Sequence, residues 1–254
     1  MTSSDKIALF EKEIAYMEIE NIKDFFKKAI TTVPDYFFEV PAASSGKFHS
    51  VLECGFGGLV YHTRSVAKVA NYLVNLQQYK SKLNEIEKDC VICAALLHDC
   101  LKHDWENKTG FSVHQHPVIA AEFVKNDSRL DGIVSDEIRV MIGAAIASHS
   151  GEWTTSKRSK IVLPSPQTLV QELVHLSDYI ASRSDIHILF EGEDNTPKLP
   201  DFNEFKLTFG KHSGRTIPEI AAIDRGWLVW AKENLTREPL LTLIKKYFDQ
   251  EDEI

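Results

Sequence analysis

The sequence lacks the long apolar run that a membrane span requires, about 20 consecutive apolar residues, so no membrane partner is expected. A secretory leader is missing from its start as well. Met1 to Lys6 leads straight into mixed Glu, Lys and apolar residues, with no basic segment ahead of an apolar one, which predicts a cytoplasmic protein. Cysteine is scarce: Cys54, Cys90, Cys93 and Cys100 are 4 in 254 residues, too few for a disulfide scaffold of this size. Cys90-Val91-Ile92-Cys93 has no second pair to complete a zinc ribbon and lies in an apolar helical run, where buried free thiols are common. Positive charge is in deficit too. With 29 Lys and Arg against 37 Asp and Glu, the formal net charge of −8 argues against a protein that coats nucleic acid by bulk charge; a substrate anion would need a local attractor. Gly210-Lys211 is followed by His212, not Ser or Thr, and neither HExxH nor GxSxG occurs, which sets aside a nucleotide-driven motor and a serine hydrolase.

What is present is helical pattern. Ile7, Phe10, Ile14, Met17, Phe25 and Phe26 recur among charges over residues 5–30, predicting one or two amphipathic helices. Pro34, Pro41 and Ser44-Ser45-Gly46 interrupt, and Gly55-Phe56-Gly57-Gly58 then opens a run in which His62, Val66, Val69, Leu73 and Leu76 share one face. A third run, about 85–102, is apolar from Val91 to Leu97 and ends in His98-Asp99-Cys100-Leu101-Lys102. Further helices are expected after His116, with Pro117 at the first position, from about Asp136 to His149, and from Ser165-Pro166, carrying Val170, Val174, Asp178 and Ala181 on one stripe. The Gly192 and Pro197–Pro200 region reads as a linker. Beyond it come a short strand over 205–209, a capping box at Thr216-Ile217-Pro218-Glu219 and two helical stretches.

Chemistry enters through polar residues at core-facing positions. An ionised aspartate within an apolar helix is costly unless a cation compensates it, and both Asp99 and Asp178 sit in such stretches. His62 and His98 occupy comparable positions on two other helices, so four ligand-type side chains point from three helices to one interior. Imidazole with carboxylate suits Mn, Fe, Zn, Ni or Co, and a carboxylate-rich variant suits Mg. The two oxygens of Asp99 allow it to bridge two ions. Lys102, three residues after Asp99, falls on the same face; its ammonium is no ligand but grips a phosphate oxygen. His116 and His149 bound the next helices and would complete a second metal. His103, His114, His175, His187 and His212 have no such placement and are read as structural.

The order His62, His98-Asp99, Asp178 resembles the HD superfamily of metal-dependent phosphohydrolases. The likeness extends through Pro41 to His49, Gly57-Gly58-Leu59-Val60-Tyr61-His62-Thr63, Leu96 to Lys102, His116-Pro117, Ser148-His149-Ser150-Gly151 and His175 to Tyr179, and is nearest the branch containing HD-type 3′→5′ exoribonucleases. Two departures stand out: His149-Ser150 where many relatives have paired histidines, and some 33 residues ahead of Pro34, too few for the OB-type domain usual in that branch. Phe209 to Thr216 with Asp224 to Trp230 resembles a module at the C-termini of some DNA exonucleases; it reads either as a packing module whose glycines serve tight turns or as a nucleic-acid contact made by Lys211, Arg215 and Trp227 or Trp230.

The resemblance implies a mostly α fold: an HD-type helical bundle over 34–195, an N-terminal helical extension over 1–33 and a small α/β C-terminal appendage over 203–254. It implies that one or two divalent ions, held by His62, His98, Asp99, Asp178, His116 and His149, activate water against phosphate esters of nucleotides or nucleic-acid 3′ ends. Asp99 and Lys102 carry the catalysis, while Lys157, Arg158 and Lys160 hold the rest of a nucleotide or single-stranded substrate. The rival reading is a non-catalytic module that binds nucleotide or nucleic acid through a degenerate site.

Overall fold

The computed structural model describes residues 1–43, 48–107, 110–157 and 159–252; Ser44 to Lys47 and Arg158 lie outside these. The N-terminal pattern resolves into three helices, α1 (Ser3–Ala8), α2 (Glu11–Ile14) and α3 (Glu20–Thr32). Their apolar residues Phe10, Phe25 and Phe26 are completely buried in the core of the bundle that follows. Asp89 ties this segment down, its Oδ2 accepting the backbone N–H groups of Glu18 and Ile19 at 2.9 and 2.7 Å.

The bundle is built from α4 (Gly58–Asn75), the single turn α5 (Gln77–Lys80), α6 (Glu85–Leu97), α7 (His116–Asn126), α8 (Asp136–Ala147) and α9 (Leu169–Ala181). Helix α6 is central, touching α3, α4, α8 and α9, and Cys90 through Leu97 are all buried. Both thiols of the Cys90–Cys93 pair are buried and unbridged, as a structural role requires. The glycine-rich turn before α4 exists for close approach. A Cβ on Gly55 would lie 1.8 Å from the Lys198 carbonyl oxygen, one on Gly58 would lie 2.1 Å from that of Glu53, and Gly57 caps the helix at φ 70°. The apolar stripe of α4 stops at Leu73, since Leu76 caps the helix and is exposed.

Two sequence expectations need correction. Helix α9 begins not at Ser165-Pro166 but after Thr168, whose hydroxyl accepts the Gln171 N–H while the Gln171 side chain accepts the Thr168 N–H. The strand over 205–209 reduces to one bridge between Lys206 and Thr216, so the tail is helical rather than α/β among the described residues. Its helices are α10 (Ile217–Asn234), opened by the expected Thr216–Glu219 capping box and kinked at Asp224, and α11 (Leu240–Asp252). They enclose a separate small core of Leu207, Ile217, Ile220, Leu228, Leu243 and Ile244.

The connection between the two cores is strapped to α4. Tyr61 donates to the Ile188 carbonyl and to Asn195 Oδ1, and Arg64 lies over the Phe190 ring at 4.2 Å while pairing with Glu13 and Glu193. Hydrogen bonding to Arg64 holds Glu193 down at about 2, whereas burial wins at Glu13 and pushes its carboxyl up against the same guanidinium.

Candidate metal centre

The histidines of the centre stand mostly at helix ends. His62 projects from α4, His98 follows the last residue of α6, His116 opens α7 and His149 follows α8 by two residues. Three of these rings are anchored alike. The Nδ1 of His98, His116 and His149 lies 2.7, 2.7 and 2.8 Å from the carbonyl oxygens of Ala95, Val113 and Ile146. A carbonyl only accepts, so each of these Nδ1 atoms carries a proton and each ring turns its Nε2 toward the interior. His62 faces the other way along the same logic: its Nδ1 sits 3.2 Å from Glu53 Oε2, and Glu53 in turn accepts from His49 Nδ1 at 2.7 Å.

The four Nε2 atoms converge on two carboxylates. Asp178 Oδ1 is 3.1 Å from His62 Nε2 and 3.7 Å from His98 Nε2. Asp99 Oδ2 is 3.4 Å from His98 Nε2 and 3.9 Å from that of His62, while its Oδ1 is 2.9 Å from His116 Nε2 and 3.8 Å from His149 Nε2. One oxygen of Asp99 thus faces the His62–His98 side and the other the His116–His149 side. Lys102 Nζ closes on Asp99 Oδ2 at 2.5 Å, and Ser182 Oγ donates to Asp178 Oδ1 at 3.1 Å.

Donor atoms around an ion bound at about 2.1 Å stand about 3.0 to 3.4 Å apart in octahedral or tetrahedral shells. The separations here, 2.9 to 3.9 Å, bracket that range. The polar bookkeeping agrees: His62 Nδ1 and Nε2, His98 Nε2 and Asp99 Oδ1 are buried without a well-formed hydrogen bond. His116 and His149 bring Nε2 to Nε2 at 3.2 Å, and two lone pairs at that distance repel unless a cation lies between them. The donor set therefore fits a divalent ion. His62–His98–Asp178 and His98–Asp99–His149 each hold their atoms within 4.8 Å of one another. The third such group, His49–Glu53–His62, differs, because its 2.7 Å contact is a hydrogen bond shorter than a coordination edge.

Charge is distributed accordingly. Burial works against ionisation of Asp99 and Asp178, but Lys102 and the imidazoles around Asp99, and His62 and His98 beside Asp178, hold both well below the usual carboxylate range. At His62 burial is outweighed by Glu53 and Asp178, which lift it to about 10; at His149 burial and the neighbouring imidazoles push it down to about 3.

A cleft of about 340 Å³ opens on this centre, with Asp99, Lys102, His116, His149 and Asp178 in its wall. The expected residues His62, His98, Asp99, Asp178, His116, His149 and Lys102 are thus brought together. Lys157 and Lys160 are exposed and do not line the cleft, and Arg158 lies outside the described residues. In the tail Lys211 pairs with Asp224 at 2.7 Å, Arg215 is exposed, and Trp230 is exposed beside the half-buried Trp227. The histidines set aside as structural all have partners, but His175 does more: its Nδ1 donates to the His149 carbonyl at 2.8 Å and its ring enters the cleft wall. Sequence reasoning missed Glu53 and His49, whose i,i+4 spacing just ahead of the glycine turn was the available signal. It missed Trp153, Tyr179 and Arg183 in the cleft wall as well.

Helix-end histidines and paired carboxylates around a cleft are the pattern of an HD domain, and the family model of the HD domain matches residues 59–183. A second model, the Exodeoxyribonuclease X-like C-terminal domain, matches residues 207–236. No curated protein and no solved structure matches the chain.

Proposed function

We propose that the chain hydrolyses phosphate esters of nucleotides or of nucleic-acid 3′ ends, using one or two divalent ions of the Mn, Fe, Ni, Co, Zn or Mg type. The observation that carries this is the convergence of four Nε2 atoms on Asp99 and Asp178, with the Nδ1 atoms of His98, His116 and His149 held by backbone carbonyls. His62, His98, Asp99 and Asp178 would hold the first ion, and His116 and His149 would hold a second ion or else the phosphate. When bound, the metal supplies Lewis acidity toward the phosphoryl group and lowers the pKa of water toward neutrality.

The protein's own groups do the rest. Lys102, buried on the cleft wall, places an ammonium where charge grows on the phosphoryl oxygens. Ser182 and Glu53 orient Asp178 and His62, so little reorganisation is left for the reaction. A cleft of about 340 Å³ holds one nucleotide rather than a duplex. The exonuclease-like tail supports a nucleic-acid end over a free nucleotide; the exposed Lys157, Lys160 and Arg215, with Lys211 and Arg158, are the cations for a strand leaving the cleft. The rival reading of a degenerate binding module is opposed by the intact donor set.

The test is a screen of nucleotides and labelled oligonucleotides against Mn²⁺, Mg²⁺, Ni²⁺ and Co²⁺, with Asp99→Ala as control. Turnover by the parent and its loss together with metal in the variant is the expected result. A protein that neither contains nor takes up metal would overturn the reading.

A further inference from the structure

The cleft has a second wall that the metal chemistry does not use. Tyr179 directly follows Asp178 near the end of α9, and Arg183 stands four residues on, just past the helix, so the two share a face. The Arg183 guanidinium lies over the Tyr179 ring, 4.3 Å from its centroid. On the other side the loop after α8 turns at Gly151, φ 61°, where a Cβ would meet the His175 ring at 2.1 Å. That close turn lays Trp153 on Tyr179, with ring centroids 5.7 Å apart and planes 6° from parallel.

These groups are incompletely used within the fold. Trp153 is 52% and Tyr179 39% exposed, although both are large aromatics lining the same cleft as Asp99 and His116. Arg183 Nε is buried without an acceptor, and Arg183 forms no ion pair among the described residues. A stacked aromatic surface with a waiting donor matches a planar heterocycle next to an anion: aromatic rings take a base by its face, and a guanidinium takes phosphate oxygens.

We propose that Trp153, Tyr179 and Arg183 form a nucleobase subsite of the cleft, in which Trp153 stacks the base of the terminal nucleotide and the Arg183 guanidinium in the cleft wall pairs with its phosphate. The proposal rests on the phosphate-ester reading above and gives it a substrate class: esters bearing a base next to the scissile phosphate, in preference to sugar or simple alkyl phosphates. Base selection then resides in the helical bundle, and not in the C-terminal module.

The test uses the full-length, metal-loaded protein and calorimetric titration with adenosine monophosphate and with ribose 5-phosphate, which differ only by the base. The parent should bind the nucleotide more tightly by roughly 5- to 150-fold, the range of one base–aromatic stack. Trp153→Ala should erase that preference, Trp153→Phe should retain most of it, and Arg183→Ala should weaken both ligands by a similar factor. In turnover, Trp153→Ala should raise KM for an oligonucleotide with a normal 3′ end, leave kcat within about twofold, and leave an abasic 3′ end unaffected. Equal affinity of the parent for the two ligands, binding of neither, or equal weakening of both by Trp153→Ala overturns the subsite. Trp153-dependent nucleotide binding without hydrolysis under any metal would keep the subsite and overturn the hydrolase reading; hydrolysis indifferent to the base would do the reverse.

Discussion

Glu53 offers the sharpest test of how the metal centre is held. Its carboxylate, 2% exposed, lies between His49 Nδ1 at 2.7 Å and His62 Nδ1 at 3.2 Å and touches no proposed ligand other than His62. A carboxylate behind a metal-binding imidazole fixes the ring and raises its basicity, and removing such a partner costs about 10- to 100-fold in metal affinity. That corresponds to about 1.4 to 2.7 kcal/mol. Glu53→Gln keeps one acceptor oxygen but loses the charge that lifts His62, so it should fall at the lower end of that loss. Glu53→Ala leaves two buried imidazole donors unmatched and should fall at the upper end, with a further about 1 to 3 kcal/mol lost from the stability of the metal-free protein. The measurement is competition for Mn²⁺ or Zn²⁺ against a chromogenic chelator, alongside thermal melts with and without metal. Affinity within twofold of the parent in both variants would refute the orienting role. Complete loss of binding by a folded Glu53→Gln would show that Glu53 ligates the ion directly and that the His49–Glu53–His62 group is the true site.

Other substitutions probe neighbouring parts of the argument. The nearest proposed carboxylate oxygen to His149 is Asp99 Oδ1 at 3.8 Å, so His149→Ala should reduce turnover more than it reduces occupancy of the first ion, read by elemental analysis and initial rates on one preparation; loss of all metal would show that the His98–Asp99–His149 group holds the first ion. The Glu193 carboxyl is held at about 2 by Arg64, below its unfolded value of about 4.3, so it stabilises the fold fully above that unfolded value and loses this contribution as pH falls toward 2. Glu193→Gln should therefore cost about 1 kcal/mol at pH 7 after solvent screening, and the gap between the urea midpoints of the two proteins should close between pH 4 and pH 2. Deleting 203–254 keeps the Phe56–Lys198 backbone bond and every ligand, so turnover of a small chromogenic phosphodiester should stay within twofold while the salt dependence of oligonucleotide binding flattens by about one unit per lost phosphate contact. Equal loss of both activities in a folded, metal-loaded truncation would place the tail over the active site.

The bundle was legible because burial and period coincide: α4, α6, α7 and α8 follow apolar runs bounded by glycine, proline or histidine, and the ligands interrupt those runs as polar residues with no apolar excuse. The tail was less so. Phe205, Leu207 and Phe209 alternate, which says that one side faces a core, and Leu207 is indeed buried. Alternation does not supply a partner, and the chain offers only Arg215 and Gly214 to the Leu207 backbone before α10 takes over. The kink at Asp224 was illegible for a related reason: Asp224 leaves the helical conformation to accept the Trp227 N–H and to pair with Lys211 and His212, contacts set by tertiary placement. Trp153 escaped because it becomes informative only beside Tyr179, remote in sequence.

The sequence pattern placed the proposed metal ligands on helix faces, yet His98, Asp99, His116 and His149 stand at helix ends. On a continuous helix His98 and Asp99 would diverge by about 100°. Helix α6 stops at Leu97, and the chain beyond it tightens, with Cys100 N–H reaching the Leu97 carbonyl and Lys102 N–H that of Asp99. The last carbonyls of a helix lack i+4 amide partners; the Ala95 oxygen accepts the His98 Nδ1 proton, and the Ile146 oxygen accepts that of His149 beside the His149 amide. An unsatisfied group of the fold thereby becomes the tautomer lock of the site, and the ring it fixes can point only its Nε2 inward. A histidine one turn earlier in α6 would have to share its i−3 carbonyl with the helix amide that already bonds to it. The HD pair works at this position because the helix ends there.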